Sequence, residues 1–93
     1  SLWGGVGSDT LYGGDGADVF FYSAGDGNDT IIDYQSNIDT VMILSSVKIG
    51  NPVSSANDVT FKVGTGQITF KNCANKHIEL VDKAGNDLKR YNP

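Results

Sequence analysis

In the first half of the chain, apolar side chains recur at short and nearly regular intervals. Leu11, Phe20, Ile31 and Val41 each stand two positions after an aspartate: Asp9, Asp18, Asp29 and Asp39. Between each pair lies Thr10, Val19, Thr30 or Thr40. Neighbouring side chains of a strand face opposite ways, so a three-residue strand at each place sends Leu11, Phe20, Ile31 and Val41 into a core and the intervening residues out of it. Residues 41–44 continue as an apolar strand that ends this series, and Leu2 sits where the same core position of an earlier unit would fall. From Ser45 the period changes. Val47 and Ile49 flank Lys48 ahead of a loop over residues 51–58. Val59, Phe61 and Val63 then alternate with Thr60 and Lys62, the two-sided pattern of a half-buried antiparallel strand. Residues 64–66, Gly-Thr-Gly, predict a tight hairpin turn. The returning strand turns Ile68 and Phe70 inward and Gln67, Thr69 and Lys71 outward. Ile78 and Leu80 alternate with His77 and Glu79, and a turn over residues 83–87 leads into a last strand over 88–91. No helical period appears over any useful length, so the expected class is all-β.

The polar positions between the short strands are as ordered as the apolar ones. In register the chain reads GGVGSDTLY, GGDGADVFF, two inserted residues (Tyr22 and Ser23), AGDGNDTII and a degenerate fourth copy ending at Asp39 and Val41. The aspartate spacings are 9, 11 and 10 residues. Six residues of turn and three of strand cannot bury an apolar face alone, so the units must stack. Glycines at the first, second and fourth positions allow positive φ and let successive turns approach closely, leaving carbonyl oxygens free to converge. The sixth-position aspartate adds an anionic oxygen. Carbonyl and carboxylate oxygens without histidine or thiol select a hard cation, and calcium accepts a flexible shell of about 6–8 oxygens more readily than magnesium does.

On these residues the chain resembles the RTX proteins, whose calcium-binding nonapeptide is G-G-x-G-x-D-x-U-x, with U a large apolar residue. The first two copies fit every defined position. The third puts Ala24 at the first glycine and keeps Gly25, Gly27, Asp29 and Ile31, while the fourth keeps Asp39 and Val41 and has Gln35 and Asn37 at glycine positions. The resemblance covers about a third of the chain. It implies a parallel β-roll over residues 1–44, followed by an antiparallel β capping segment over 45–93, the two forming one continuous domain. It also implies Ca2+ as the bound ion. The candidate ligands are then Gly4, Gly5, Gly7 and Asp9; Gly13, Gly14, Gly16 and Asp18; Gly25, Asp26, Gly27 and Asp29; and Asp33 and Asp39. In a two-sided roll successive turns alternate sides, so Asp9 is expected to stack on Asp29 and Asp18 on Asp39, with Asp33 lending a further carboxylate to the second pair. Other glycine motifs fail. A dinucleotide fingerprint needs glycine where Thr10, Val19 and Thr30 stand, a phosphate loop needs Gly-Lys-Ser/Thr, and an EF-hand loop from Asp26 would need glycine at Ile31.

Charge and composition narrow the function classes. Seven basic and eleven acidic residues give a net charge of −4, with the acids concentrated in the repeats and every lysine and the arginine beyond them. Nucleic acid and acidic lipid are therefore disfavoured as partners of the roll. No apolar run is long enough to span a membrane as a helix. Cys73 is the single cysteine, so no internal disulfide forms; it is expected as a half-buried structural residue. His77, the only histidine, is expected beside Glu79 on a solvated strand edge, and no catalytic motif accompanies it. The fragment is thus expected not to be an enzyme, although its parent could be a protease, lipase or epimerase. Trp3, Tyr12, Phe21, Tyr22 and Tyr34 flank the turns, where aromatics can stack on sugars.

Two functions follow. The first is a calcium-binding C-terminal module of a secreted, extracellular bacterial RTX protein exported by type I secretion. Such a module folds on calcium after export and stabilises or caps the parent, with upstream roll and domains of the parent chain as partners. The alternative is a carbohydrate-binding or adhesive module of a cell-surface or polysaccharide-modifying protein, with polysaccharide as the partner.

Overall fold

A computed structural model describes residues 2–23 and 25–93. The inward placement expected of the Leu2 side chain lies outside the described residues, as do Ser1 and Ala24. The described residues form ten strands and no helix. They are β1 (Leu2–Trp3), β2 (Thr10–Leu11), β3 (Val19–Tyr22), β4 (Asn28–Ile31), β5 (Thr40–Ile43), β6 (Val53–Ser55), β7 (Asp58–Val63), β8 (Gly66–Phe70), β9 (Ile78–Val81) and β10 (Asp87–Tyr91).

The first five strands alternate between two sheets, because each six-residue turn carries the chain from one sheet to the other. One sheet runs β1-β3-β5-β9-β10 and the second β2-β4-β8-β7-β6. Pairing within the repeats is parallel, with Leu2 opposite Phe20, Phe20 opposite Val41, and Leu11 opposite Ile31. The eighth-position residues thus form two facing apolar columns, and Phe20, Ile31 and Val41 are fully buried. This is the all-β roll architecture that the repeat pattern predicts.

The segment after residue 44 extends both columns. β8 adds to β4 in parallel, with Phe70 opposite Ile31, and β9 adds to β5 in parallel, with Leu80 opposite Val41. Antiparallel strand pairing joins β6, β7 and β8, and joins β9 to β10. Alternation along β7, β8 and β9 places Val59, Phe61, Val63, Ile68, Phe70, Ile78 and Leu80 in one core with the roll residues. Burying side chains of this size contributes about 1.5–3 kcal/mol each. The loop expected over residues 51–58 contains β6, an exposed edge strand whose three residues all face solvent, so no burial alternation marks it in the sequence. Val47 and Ile49 pack on the core from a connection and contribute a single bridge, Ile49 with Val63.

Two aromatic residues expected to flank the turns lie inside. Tyr22 and Tyr34 are 2% and 3% exposed, and Tyr34 meets Phe70 edge to face at 5.0 Å. Cys73 is fully buried, and burial raises its thiol pKa. No helix among the described residues is long and apolar enough to cross a membrane.

Candidate metal centre

Because β2 lies against β4 and β3 against β5, the turns stack in two piles at opposite edges of the roll. The first turn (residues 4–9) lies on the third (25–29), and the second (13–18) lies on the fourth (34–39). Each stack is joined in the same way. The Asp9 N–H donates to Asp29 Oδ1 at 3.1 Å, and the Asp18 N–H donates to Asp39 Oδ1 at 3.0 Å. Asp9 is thus brought to Asp29 and Asp18 to Asp39, which is the side-to-side register the spacing predicts.

The fourth position of every turn is left-handed: φ is 104° at Gly7, 89° at Gly16, 84° at Gly27 and 65° at Asn37. Asparagine tolerates this region better than other side-chain-bearing residues, so the degenerate fourth turn keeps the shape of the others. At the first position the need for glycine is one of space. A Cβ on Gly4 would lie 2.8 Å from Asp9 Oδ2, and one on Gly13 would lie 2.8 Å from Asp18 Oδ2.

Those carboxylate oxygens are the unusual feature of the site. Asp9 Oδ2, Asp18 Oδ2 and Asp29 Oδ2 are buried and have no hydrogen-bond partner. Burying a carboxylate oxygen unpaired is costly, and here it recurs at the same repeat position three times. Asp29 is 2% exposed. Its pKa is raised from 3.8 to about 6, first by burial and then by the charges of Asp9 and Asp26, against the lowering effect of the Asp9 N–H. The side-chain ion pairs lie elsewhere, in Lys71–Asp58, Arg90–Asp87, Arg90–Glu79 and His77–Glu79. A cation fits at these oxygens, and the donor set is oxygen only. Among the described residues no three His, Cys, Asp or Glu side chains cluster as a metal-holding group. Backbone carbonyls must therefore complete the shell, as a hard cation of flexible coordination allows.

Three acidic candidates are placed differently. Asp26 Oδ2 accepts from the Ser23 N–H and from the Trp3 indole Nε1, at 2.8 and 2.9 Å. Asp33 accepts from the Gly13 and Gly14 N–H groups at 2.7 Å each, which ties the segment entering the fourth turn to the second turn. Asp39 Oδ2 accepts from the Gln35 N–H at 2.9 Å, so both of its oxygens are satisfied within the protein. Trp3 and Gln35 thus belong to the turn stacks. Neither is marked by the repeat pattern, because each acts through one side-chain or backbone donor and not through a period.

The comparisons decide the family of this region. A family model for the RTX calcium-binding nonapeptide repeat, four copies long, matches residues 1–31 and again 21–37. Residues 1–37 carry RTX repeats. The RTX turns are therefore calcium-binding elements, and Ca2+ is the ion that suits the orphaned carboxylate oxygens. No curated protein and no solved structure matches the chain.

Away from the RTX turns, His77 Nε2 lies 2.8 Å from Glu79 Oε1 and Nδ1 lies 2.6 Å from Asn92 Oδ1. Two acceptors favour the imidazolium, and the His77 pKa is raised, chiefly by Glu79.

Proposed function

We propose that this chain is a calcium-dependent folding module of a secreted RTX protein, unfolded at low calcium and assembled when calcium reaches extracellular levels. The RTX repeat is a structural calcium-binding module, typical of secreted bacterial proteins. The observation that carries the proposal is the set of three buried, partnerless carboxylate oxygens at Asp9, Asp18 and Asp29. Without metal they oppose folding; with metal they favour it. The candidate ligands are those three carboxylates with carbonyls of the glycine-rich turns. Asp39, Asp33 and Asp26 serve as turn-holding acceptors.

Extracellular modules bind calcium with Kd on the order of 10⁻⁴–10⁻³ M. One site at 10⁻⁴ M in about 1 mM calcium stabilises the fold by roughly 1.4 kcal/mol, and the effect vanishes at cytosolic concentrations. Residues 45–93 are proposed as the cap of the roll. A carbohydrate-binding role has less support, since Tyr22 and Tyr34 are buried. The exposed Trp3 lies in β1 of one sheet, while the exposed Tyr12 follows β2 of the other. Circular dichroism tests the proposal: a disordered spectrum in chelator and a β-rich one in millimolar calcium are expected. Identical spectra in the two conditions would remove its basis.

A further inference from the structure

The glycine column at the first-turn edge has three levels, and they are not equivalent. Gly7 lies over Gly27, close enough that a Cβ on Gly27 would sit 2.7 Å from the Gly7 carbonyl oxygen. Gly27 in turn lies over Gly66, where a Cβ would run into the Gly27 carbonyl oxygen and the Tyr22 hydroxyl. In the upper gap, between the first and third turns, the Asp9 and Asp29 Oδ2 atoms are unpartnered. No donor among the described residues reaches the Gly7 carbonyl there. In the lower gap, between the third turn and the β7-β8 hairpin, the Gly27 carbonyl accepts from the Tyr22 hydroxyl and from the Gln67 N–H. The residue in register with Asp29 on β8 is Ile68. The lower gap therefore gains no sixth-position carboxylate from the hairpin.

We propose that Tyr22 and Gln67 terminate the calcium column at this edge: their two donors occupy the Gly27 carbonyl in place of an ion, so the hairpin docks on the third turn without metal. This inference rests on the calcium-binding reading above. A buried carbonyl must be satisfied, and a hydroxyl and an amide do so without the cost of holding a cation where no carboxylate balances it. Tyr22 reaches the site because it is one of the two residues inserted between the second and third repeats. Its burial, with the charges of Asp29 and Asp26, raises its pKa and keeps the phenol a neutral donor.

The test is to count ions by native mass spectrometry and isothermal titration on the full chain, comparing wild type, Tyr22→Phe and Asp29→Asn. Asp29→Asn should lose one calcium ion per chain. Tyr22→Phe should lose none, yet melt about 4–8 °C lower in saturating calcium, the shift expected for one hydrogen bond. A Tyr22→Phe protein that loses an ion, or whose melting temperature is unchanged, overturns the inference. Wild type that binds no calcium overturns instead the reading on which it rests. Should Tyr22→Phe not fold, a crystal structure of the terbium-loaded wild type decides from anomalous signal. An ion within about 2.6 Å of the Gly27 carbonyl oxygen refutes the proposal, and its absence there, with an ion at Asp29, supports it.

Discussion

Asp29 and Asp39 occupy the same repeat position and meet different surroundings. One oxygen of Asp29 holds the Asp9 N–H and the other is buried without a partner, whereas both oxygens of Asp39 accept backbone N–H groups. Asp29→Ala is therefore expected to lower calcium affinity more than Asp39→Ala in calorimetry. Asp39→Ala should act instead on the calcium-saturated fold, since each orphaned buried N–H costs about 1–3 kcal/mol. Equal affinity losses would contradict this division. The raised Asp29 pKa sets a pH dependence as well. Between pH 3.8 and about 6 the metal-free fold holds a proton that the unfolded chain has released. This contribution is present at lower pH and is lost as pH rises through 6. A folded metal-free state must give up this proton to bind calcium, so calcium affinity is expected to fall with decreasing pH, and Asp29→Asn should flatten the profile. The aspartates and the apolar residues two positions on were legible in the sequence because both recur with one local period. Tyr22 and Tyr34 were not, because each is buried by elements far along the chain that no local pattern names.

At the level of elements, alternation in β7, β8 and β9 shows which side chains face inward but not which strands they meet. The Gly-Thr-Gly turn marks the β7-β8 pair, which is a local contact; the parallel docking of β8 on β4 and of β9 on β5 is not encoded in any neighbouring residues. That docking gives the proposed cap its energetic weight. Phe70 is fully buried between Tyr34 and Phe61, with ring centroids 5.0 and 5.7 Å away. Phe70→Ala should cost about 3–5 kcal/mol. In thermal melts at saturating calcium this corresponds to a fall of roughly 12 °C or more. A chain ending at Ser45 exposes Ile31 and Val41 and the open edges of β4 and β5. It is expected to stay unfolded or aggregate even at about ten times the millimolar calcium level. A soluble, calcium-loaded monomer from that truncation would show that residues 45–93 are not the cap.

Taken whole, the molecule is two five-stranded sheets sharing one core, with metal sites proposed at the edges of the roll and hydrogen-bonded protein at its closed end. Magnesium should restore little of the β signal, because it sheds its water reluctantly and demands near-octahedral geometry, whereas calcium accepts a flexible oxygen shell. A magnesium titration followed by circular dichroism tests this. The parallel docking of β8 and β9 also governs the order of events in time. Ile31 and Phe70 are paired although they stand about 40 positions apart, and contacts of such separation are slow to form. The glycine-rich repeats, made first, thus wait for the last third of the chain before their columns are closed. In a calcium-jump experiment the fluorescence of Trp3, at the far end of the first sheet, should change together with or after the β signal and not before it. The coil that carries Trp3 would then become rigid only once the later strands have closed the core.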